Sequence, residues 1–192
     1  ADTQSLYFVD IPQHTIHKYT PSTKQHVSVK MDKLTSFIIP IKGFSDKFVV
    51  GMCDEINIIT WDGVSSQLTN IEALTKLNNA ITKFNDAKAD SLGHLWTGSV
   101  ASDFDLKTFT PSIGSLYSLG SDNKIKTHAE NVGMSNGIAF SNDLKKLYYI
   151  DSALRTVDQF DYNVQDQTVS NRQTLFTLKK NHLEGVPDGL TI

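Results

Sequence analysis

Ser5-Leu6-Tyr7-Phe8-Val9-Asp10 returns 141 residues later as Lys146-Leu147-Tyr148-Tyr149-Ile150-Asp151. In each case an aromatic residue, Tyr19 or Phe160, stands 13 positions after the Leu. A second series runs Phe84-Asn85-Asp86-Ala87, Ser135-Asn136-Gly137-Ile138 and Pro187-Asp188-Gly189-Leu190, and its polar positions 85, 136 and 188 lie 51 and then 52 residues apart. Asn136 precedes Leu147 by 11 residues and Asn85 precedes Leu95 by 10, so both series belong to one repeat. A repeat of about 50 residues built only from strands is the signature of a propeller blade, a four-stranded sheet that packs face to face on its neighbours. About four such blades fit into 192 residues.

The strand signals between these landmarks agree. Phe37-Ile38-Ile39, Lys47 to Val50, Ile56 to Trp61, His94 to Thr97 and Gly114 to Leu119 are short, β-branched or aromatic, and bounded by turn-forming Gly, Asp, Asn and Ser. Ile71 to Ile81 has some helical periodicity, but Asn78-Asn79 interrupts it, and strand followed by loop is expected. The fold class is therefore all-β, a single propeller domain over residues 1–192. The first echo at Leu6 calls for a polar residue about 11 positions earlier, ahead of Ala1. With the strand-like ending Leu190-Thr191-Ile192, this leads to the expectation that the domain is incomplete at both ends.

Hydrophobic residues make up 39% and charged residues 20% of the chain, and the net charge of −3 carries no basic block, so nucleic-acid and anionic-membrane partners are not expected. The single cysteine, Cys53, follows the apolar run Phe48 to Met52 and reads as a buried reduced thiol. No Asn-x-Ser/Thr acceptor, long apolar run or basic-then-apolar leader occurs. The expected address is the cytoplasm.

Radial repetition would aim Asn85, Asn136 and Asp188 at the same end of a central channel. Two amide oxygens and one carboxylate form a hard-oxygen set suited to Ca²⁺, Mg²⁺ or Mn²⁺, with Zn²⁺ also accommodated. Asn or Asp before Gly is equally a plain turn signal, and both readings stay open at this point. His14 and His17 read as surface-loop residues, Asp10 and Asp151 as turn caps, and Trp61 and Trp96 as packing between blades. No nucleophile elbow, phosphate loop, zinc-protease helix or EF-hand loop is present.

Lys83-Phe84-Asn85-Asp86-Ala87-Lys88-Ala89-Asp90, Trp96-Thr97-Gly98, Ser135-Asn136-Gly137-Ile138, Leu147 to Ser152, Phe160-Asp161-Tyr162, Ser170-Asn171-Arg172 and Pro187-Asp188-Gly189 occur in the order of the senescence-marker/regucalcin/gluconolactonase family. The chain resembles this family over nearly its whole length, most of all its insect members. The resemblance implies a six-bladed β-propeller and one divalent cation, Ca²⁺ first, held by a Glu from ahead of the Leu6 strand together with Asn136 and Asp188. It implies that Asn85, Lys83 and Asp103 bind substrate, although Lys83 stands where many relatives carry Arg and the loop at Asp103 departs from the pattern. It further implies a small-molecule partner and metal-dependent hydrolysis of lactones or esters with Asp188 as base. In luciferin-regenerating members the substrate is oxyluciferin. The alternative it leaves is a calcium-binding regulatory protein without turnover.

Overall fold

The computed structural model describes residues 4–192, which form two compact units, the first up to Asn78 and the second Asn79–Ile192. Among the described residues every regular element is a strand, and no helix is long and apolar enough to cross a membrane.

In the first unit, β1 (Leu6–Asp10), β2 (Thr15–Thr20) and β3 (Gln25–Lys30) form one antiparallel meander. A second comprises β4 (Thr35–Pro40), β5 (Lys47–Met52), β6 (Glu55–Thr60) and β7 (Asn70–Lys76). Alternation sorts their residues: Ile16, Val29, Phe48, Val50, Ile59 and Trp61 are buried in the core between the two sheets, and Tyr7 packs on Phe48 at 4.7 Å. Strand β7 and its following loop replace the helical reading of Ile71 to Ile81, as expected.

The second unit repeats the plan. Strands β8 (Thr82–Ala89), β9 (Leu95–Ala101), β10 (Gly114–Leu119) and β11 (Ile125–Val132) form one meander. The other comprises β12 (Ser135–Phe140), β13 (Lys146–Asp151), β14 (Thr156–Asn163) and β15 (Thr168–Thr177). Trp96, Leu116, Val132, Ile138, Leu147, Tyr149, Phe160 and Tyr162 fill the space between these sheets. Tyr162 adds a polar tie, donating its hydroxyl to Asp90 Oδ2 at 2.7 Å across that interface. Burial raises the Asp90 carboxyl, but hydrogen bonds from Tyr162 and from the His94 amide and ring outweigh it and hold the group below its ordinary range.

Three local readings change. Cys53 is half-buried in the β5–β6 turn at φ 54° rather than in the core. His17 lies in β2, where its Nδ1 meets His26 Nε2 at 2.9 Å, instead of sharing a loop with His14. Asp151, fully buried, does cap the turn that follows through the Ala153 N–H, and it also accepts the N–H groups of Gly133 and Met134, which makes it a clasp between segments as well.

Candidate functional site

The repeated polar residues sit at bulges. Along β8 and β9, Phe84 pairs with Ser99 and Ala87 with Thr97, so Asn85 and Asp86 share the place opposite Gly98. Along β12 and β13, Ser135 pairs with Asp151 and Ile138 with Tyr149, which leaves Asn136 and Gly137 opposite Ile150. One extra residue at such a point breaks the alternation and re-aims a side chain that would otherwise follow the pleat. In the first unit the same irregularity falls at Ser36 of β4, 49 residues before Asn85. Ser36 is therefore a further repeat position, and spacing to the next Asn was the signal that could have found it.

A chain of hydrogen bonds links β8, β12 and the segment around Asp188, and its direction is fixed from one end. The Pro187 carbonyl can only accept, so the Ser152 hydroxyl must donate to it, at 2.5 Å. The Ser152 oxygen then accepts Asn136 Nδ2 at 2.7 Å, which turns Asn136 Oδ1 toward Asn85. Asn85 in turn presents Nδ2, donating 2.8 Å to Asn136 Oδ1 and 2.7 Å to the Ser135 carbonyl. Both amide orientations follow from this logic. Asn85 Oδ1 and the second lone pair of Asn136 Oδ1 remain as acceptors.

Asp188 does not begin a strand. It lies in an extended segment after β15, exposed at its side chain, and its carbonyl accepts the Gly137 N–H at 2.9 Å. That contact removes the turn reading of Asn136-Gly137. A Cβ on Gly137 would stand 2.6 Å from Leu190 N and 2.8 Å from the Asp188 carbonyl, so the Gly permits close backbone approach and forms no turn. The arrangement thereby brings Asn85, Asn136 and the Asp188 segment together.

Asp86 was not singled out by the repeat, yet it belongs to this surrounding. Burial pushes its carboxyl up; a hydrogen bond from the Ala87 N–H opposes the rise and the charge of Asp188 adds to it. Lys83 is half-buried two residues before Asn85, opposite Val100. Asp103 is exposed in the turn after β9, near the start of β8 where Ser102 N–H bonds the Ile81 carbonyl, and among the described residues it makes no hydrogen bond or ion pair to Asn85, Asn136 or Asp188.

These donors fit a hard divalent cation. The available ligand atoms are amide and carboxylate oxygens, and Asp86 and Asp188 place negative charge close enough to oppose one another. Among the described residues no three His, Cys, Asp or Glu side chains form a metal cluster, so the amide oxygens of Asn136 and Asn85 carry the fit beside the carboxylates. The Glu implied by resemblance lies outside the described residues.

A family profile described as the SMP-30/gluconolactonase/LRE-like region matches residues 1–192. Regucalcin of Macaca fascicularis is 34% identical over 190 residues, covering 99% of this chain and 61% of that protein. A solved luciferin-regenerating enzyme superposes with a TM-score of 0.95 at 50% identity, over 98% of this chain and 62% of its own. A calcium-binding regucalcin from Agrobacterium tumefaciens, at 15% identity and a TM-score of 0.82 over 98% of this chain and 60% of its own, shares the fold. The chain thus spans about three fifths of the length of these relatives and makes up part of a β-propeller.

Proposed function

We propose that this chain, which belongs to the SMP-30/gluconolactonase/LRE-like family, supplies cation-binding and substrate-binding groups to a divalent-cation-dependent hydrolase of lactone or ester substrates. The observation that carries the reading is the directed hydrogen-bond chain from Pro187 through Ser152 and Asn136 to Asn85, which fixes two amide oxygens beside the Asp188 segment.

Asn136 and Asp188 would hold the cation, Ca²⁺ in the first instance. A bound divalent ion supplies polarisation of the substrate carbonyl and stabilises the oxyanion that forms there. Asn85 orients the substrate through Oδ1, the atom its own hydrogen bonds leave open. Lys83, with no hydrogen-bond or ion-pair partner among the described residues, attracts the oxygen-rich substrate as a point charge without the bidentate fork of Arg. Asp188 takes a proton from the attacking water as the water oxygen bonds to the acyl carbon. It returns that proton to the ring or alcohol oxygen as the acyl C–O bond breaks. Asp103 contacts the distal hydroxyls of a sugar lactone, consistent with its exposure near the start of β8. The substrate is a small molecule, and a reducing, cytoplasmic setting suits the lone Cys53.

The test is hydrolysis of a δ-lactone by the whole protein, with Ca²⁺, Mg²⁺, Mn²⁺ or Zn²⁺ and with a chelator, and with oxyluciferin beside the lactones because a similar solved enzyme regenerates luciferin. Asp188→Asn is expected to lose about 10²- to 10⁴-fold in turnover even at saturating cation. Chelator-insensitive hydrolysis, or full recovery of Asp188→Asn on adding cation, would refute the assignment of base and ligand to one carboxylate. Similarity to regucalcins favours a second reading, calcium binding without turnover. Cation binding by the parent protein with no lactone or ester hydrolysis would select it.

A further inference from the structure

We propose that Ser152 is the positioning residue of this site: its hydroxyl sets which atom of Asn136 faces the cation and latches the Asp188 segment onto β12. The inference rests on the reading of Asn136 and Asp188 as cation ligands. Ser152 is 1% exposed and follows Asp151 directly. Its own N–H bonds the Met134 carbonyl at 3.0 Å, and Asp151 holds the N–H groups of Gly133, Met134 and Ala153, so the backbone on both sides of the hydroxyl is fixed.

A hydroxyl has one hydrogen, and here Pro187 takes it. The oxygen lone pair left over can only receive, and what it receives is an N–H of the Asn136 amide. An Asn amide has nearly the same shape in its two orientations, so nothing in packing alone prevents Nδ2 from facing the site. The Ser152 acceptor does so from one side, and Asn85 Nδ2, held by the Ser135 carbonyl, calls for the same orientation from the other. Because Pro187 precedes Asp188, the same oxygen also fixes where the Asp188 carboxylate starts from, and the Gly137 N–H to Asp188 carbonyl bond closes the loop on the other side. One buried hydroxyl therefore registers a neutral ligand and an ionised one against each other, although it touches neither substrate nor cation.

The experiment uses the whole protein carrying Ser152→Ala and, to keep the volume, Ser152→Cys, whose thiol is a weak donor and acceptor. Ca²⁺ affinity is measured by calorimetry, and amide hydrogen exchange of Gly137 is measured without cation. Outer-shell partners typically contribute 10- to 100-fold in metal affinity. Ser152→Ala is expected to weaken Ca²⁺ binding by about that factor and to speed Gly137 exchange by about tenfold or more, while amides in β14 keep their parental protection; Ser152→Cys falls between. If Ser152→Ala does not fold, the Cys variant decides. Unchanged Gly137 exchange, or unchanged Ca²⁺ affinity in a protein that binds Ca²⁺, would overturn the proposal, and lowered global stability alone would mark Ser152 as merely structural. A parent that binds no Ca²⁺ would instead refute the cation reading, and Gly137 exchange would then decide the latch by itself.

Discussion

Replacing Asp151 by Asn removes a charge and one acceptor from a fully buried position without changing its shape. Oδ2 accepts the Gly133 N–H at 3.0 Å, and Oδ1 accepts those of Met134 and Ala153, each at 3.1 Å. The best orientation of an Asn keeps Oδ1 in place and points its NH₂ at the Gly133 N–H, so one charge-assisted bond is lost and two donors face each other. The lost bond is worth about 1.5–3 kcal/mol and the stranded buried N–H costs about 1–3 kcal/mol. Relief from burying an unpaired anion offsets part of this, for a net loss of about 2–4 kcal/mol. Urea unfolding of the whole protein reads that loss as a lower midpoint at unchanged slope. Because Gly133 and Met134 lead into Asn136, Ca²⁺ affinity should fall with it. A loss below about 0.5 kcal/mol would show that the three N–H bonds do not rely on a carboxylate, and the clasp would have to be abandoned.

Two further outcomes follow from the second unit. His128 is half-buried under the Trp96 ring at 4.4 Å with its Nε2 2.7 Å from Ser118 Oγ, and burial, with the Lys126 charge, pushes its imidazole down to about 4. The folded state therefore binds fewer protons than the unfolded one between about pH 6.5 and 4: the contribution is whole above 6.5 and fades as pH falls to 4, and His128→Gln should flatten stability across that window by about 1–2 kcal/mol after solvent screening, as read by urea unfolding at pH 7 and 4.5. Gly137→Ala would drive a Cβ into Leu190 N and the Asp188 carbonyl, with an expected cost of about 1–3 kcal/mol and weaker Ca²⁺ binding on calorimetry; parental affinity would mean the Asp188 segment does not need its place on β12.

How far the sequence reaches is clearest at Asn85 and Asn136. Their spacing placed both at one point of a repeating sheet, because a repeat transmits position along the chain whatever the side chain does locally. It did not show that the point is a bulge, since an extra residue in a ladder is visible only against its partner strand. Ser36 escaped for the same reason: it shares the bulge but not the residue type. Asp188 shares the spacing without sharing the strand. Ser152 and Asp86 stood inside quoted motifs without a role of their own, because a buried hydroxyl and an adjacent carboxylate acquire meaning from what faces them, here Pro187 and Asp188. Strands β1, β4, β5, β6, β9, β10 and β13 were legible from their β-branched and aromatic runs, whereas β3, β11 and β15, largely polar and exposed, carry too little apolar alternation to be read without their partners.

The position after each repeated polar residue explains why the site is lopsided. In β12 that position is Gly137, and it must stay bare because the backbone of Asp188 and Leu190 passes within van der Waals reach of any Cβ. In β8 it is Asp86, in the bulge opposite Gly98. Two sheets with the same irregularity therefore contribute differently: β12 offers a neutral amide oxygen and a seat for the Asp188 segment, whereas β8 offers a neutral amide oxygen and a half-buried carboxylate. Burial, and to a lesser degree the Asp188 charge, raise the Asp86 carboxyl above its ordinary range. On the proposed function, a divalent cation seated here would offset that negative charge. The amide oxygens of Asn85 and Asn136 would then add ligand atoms without adding repulsion.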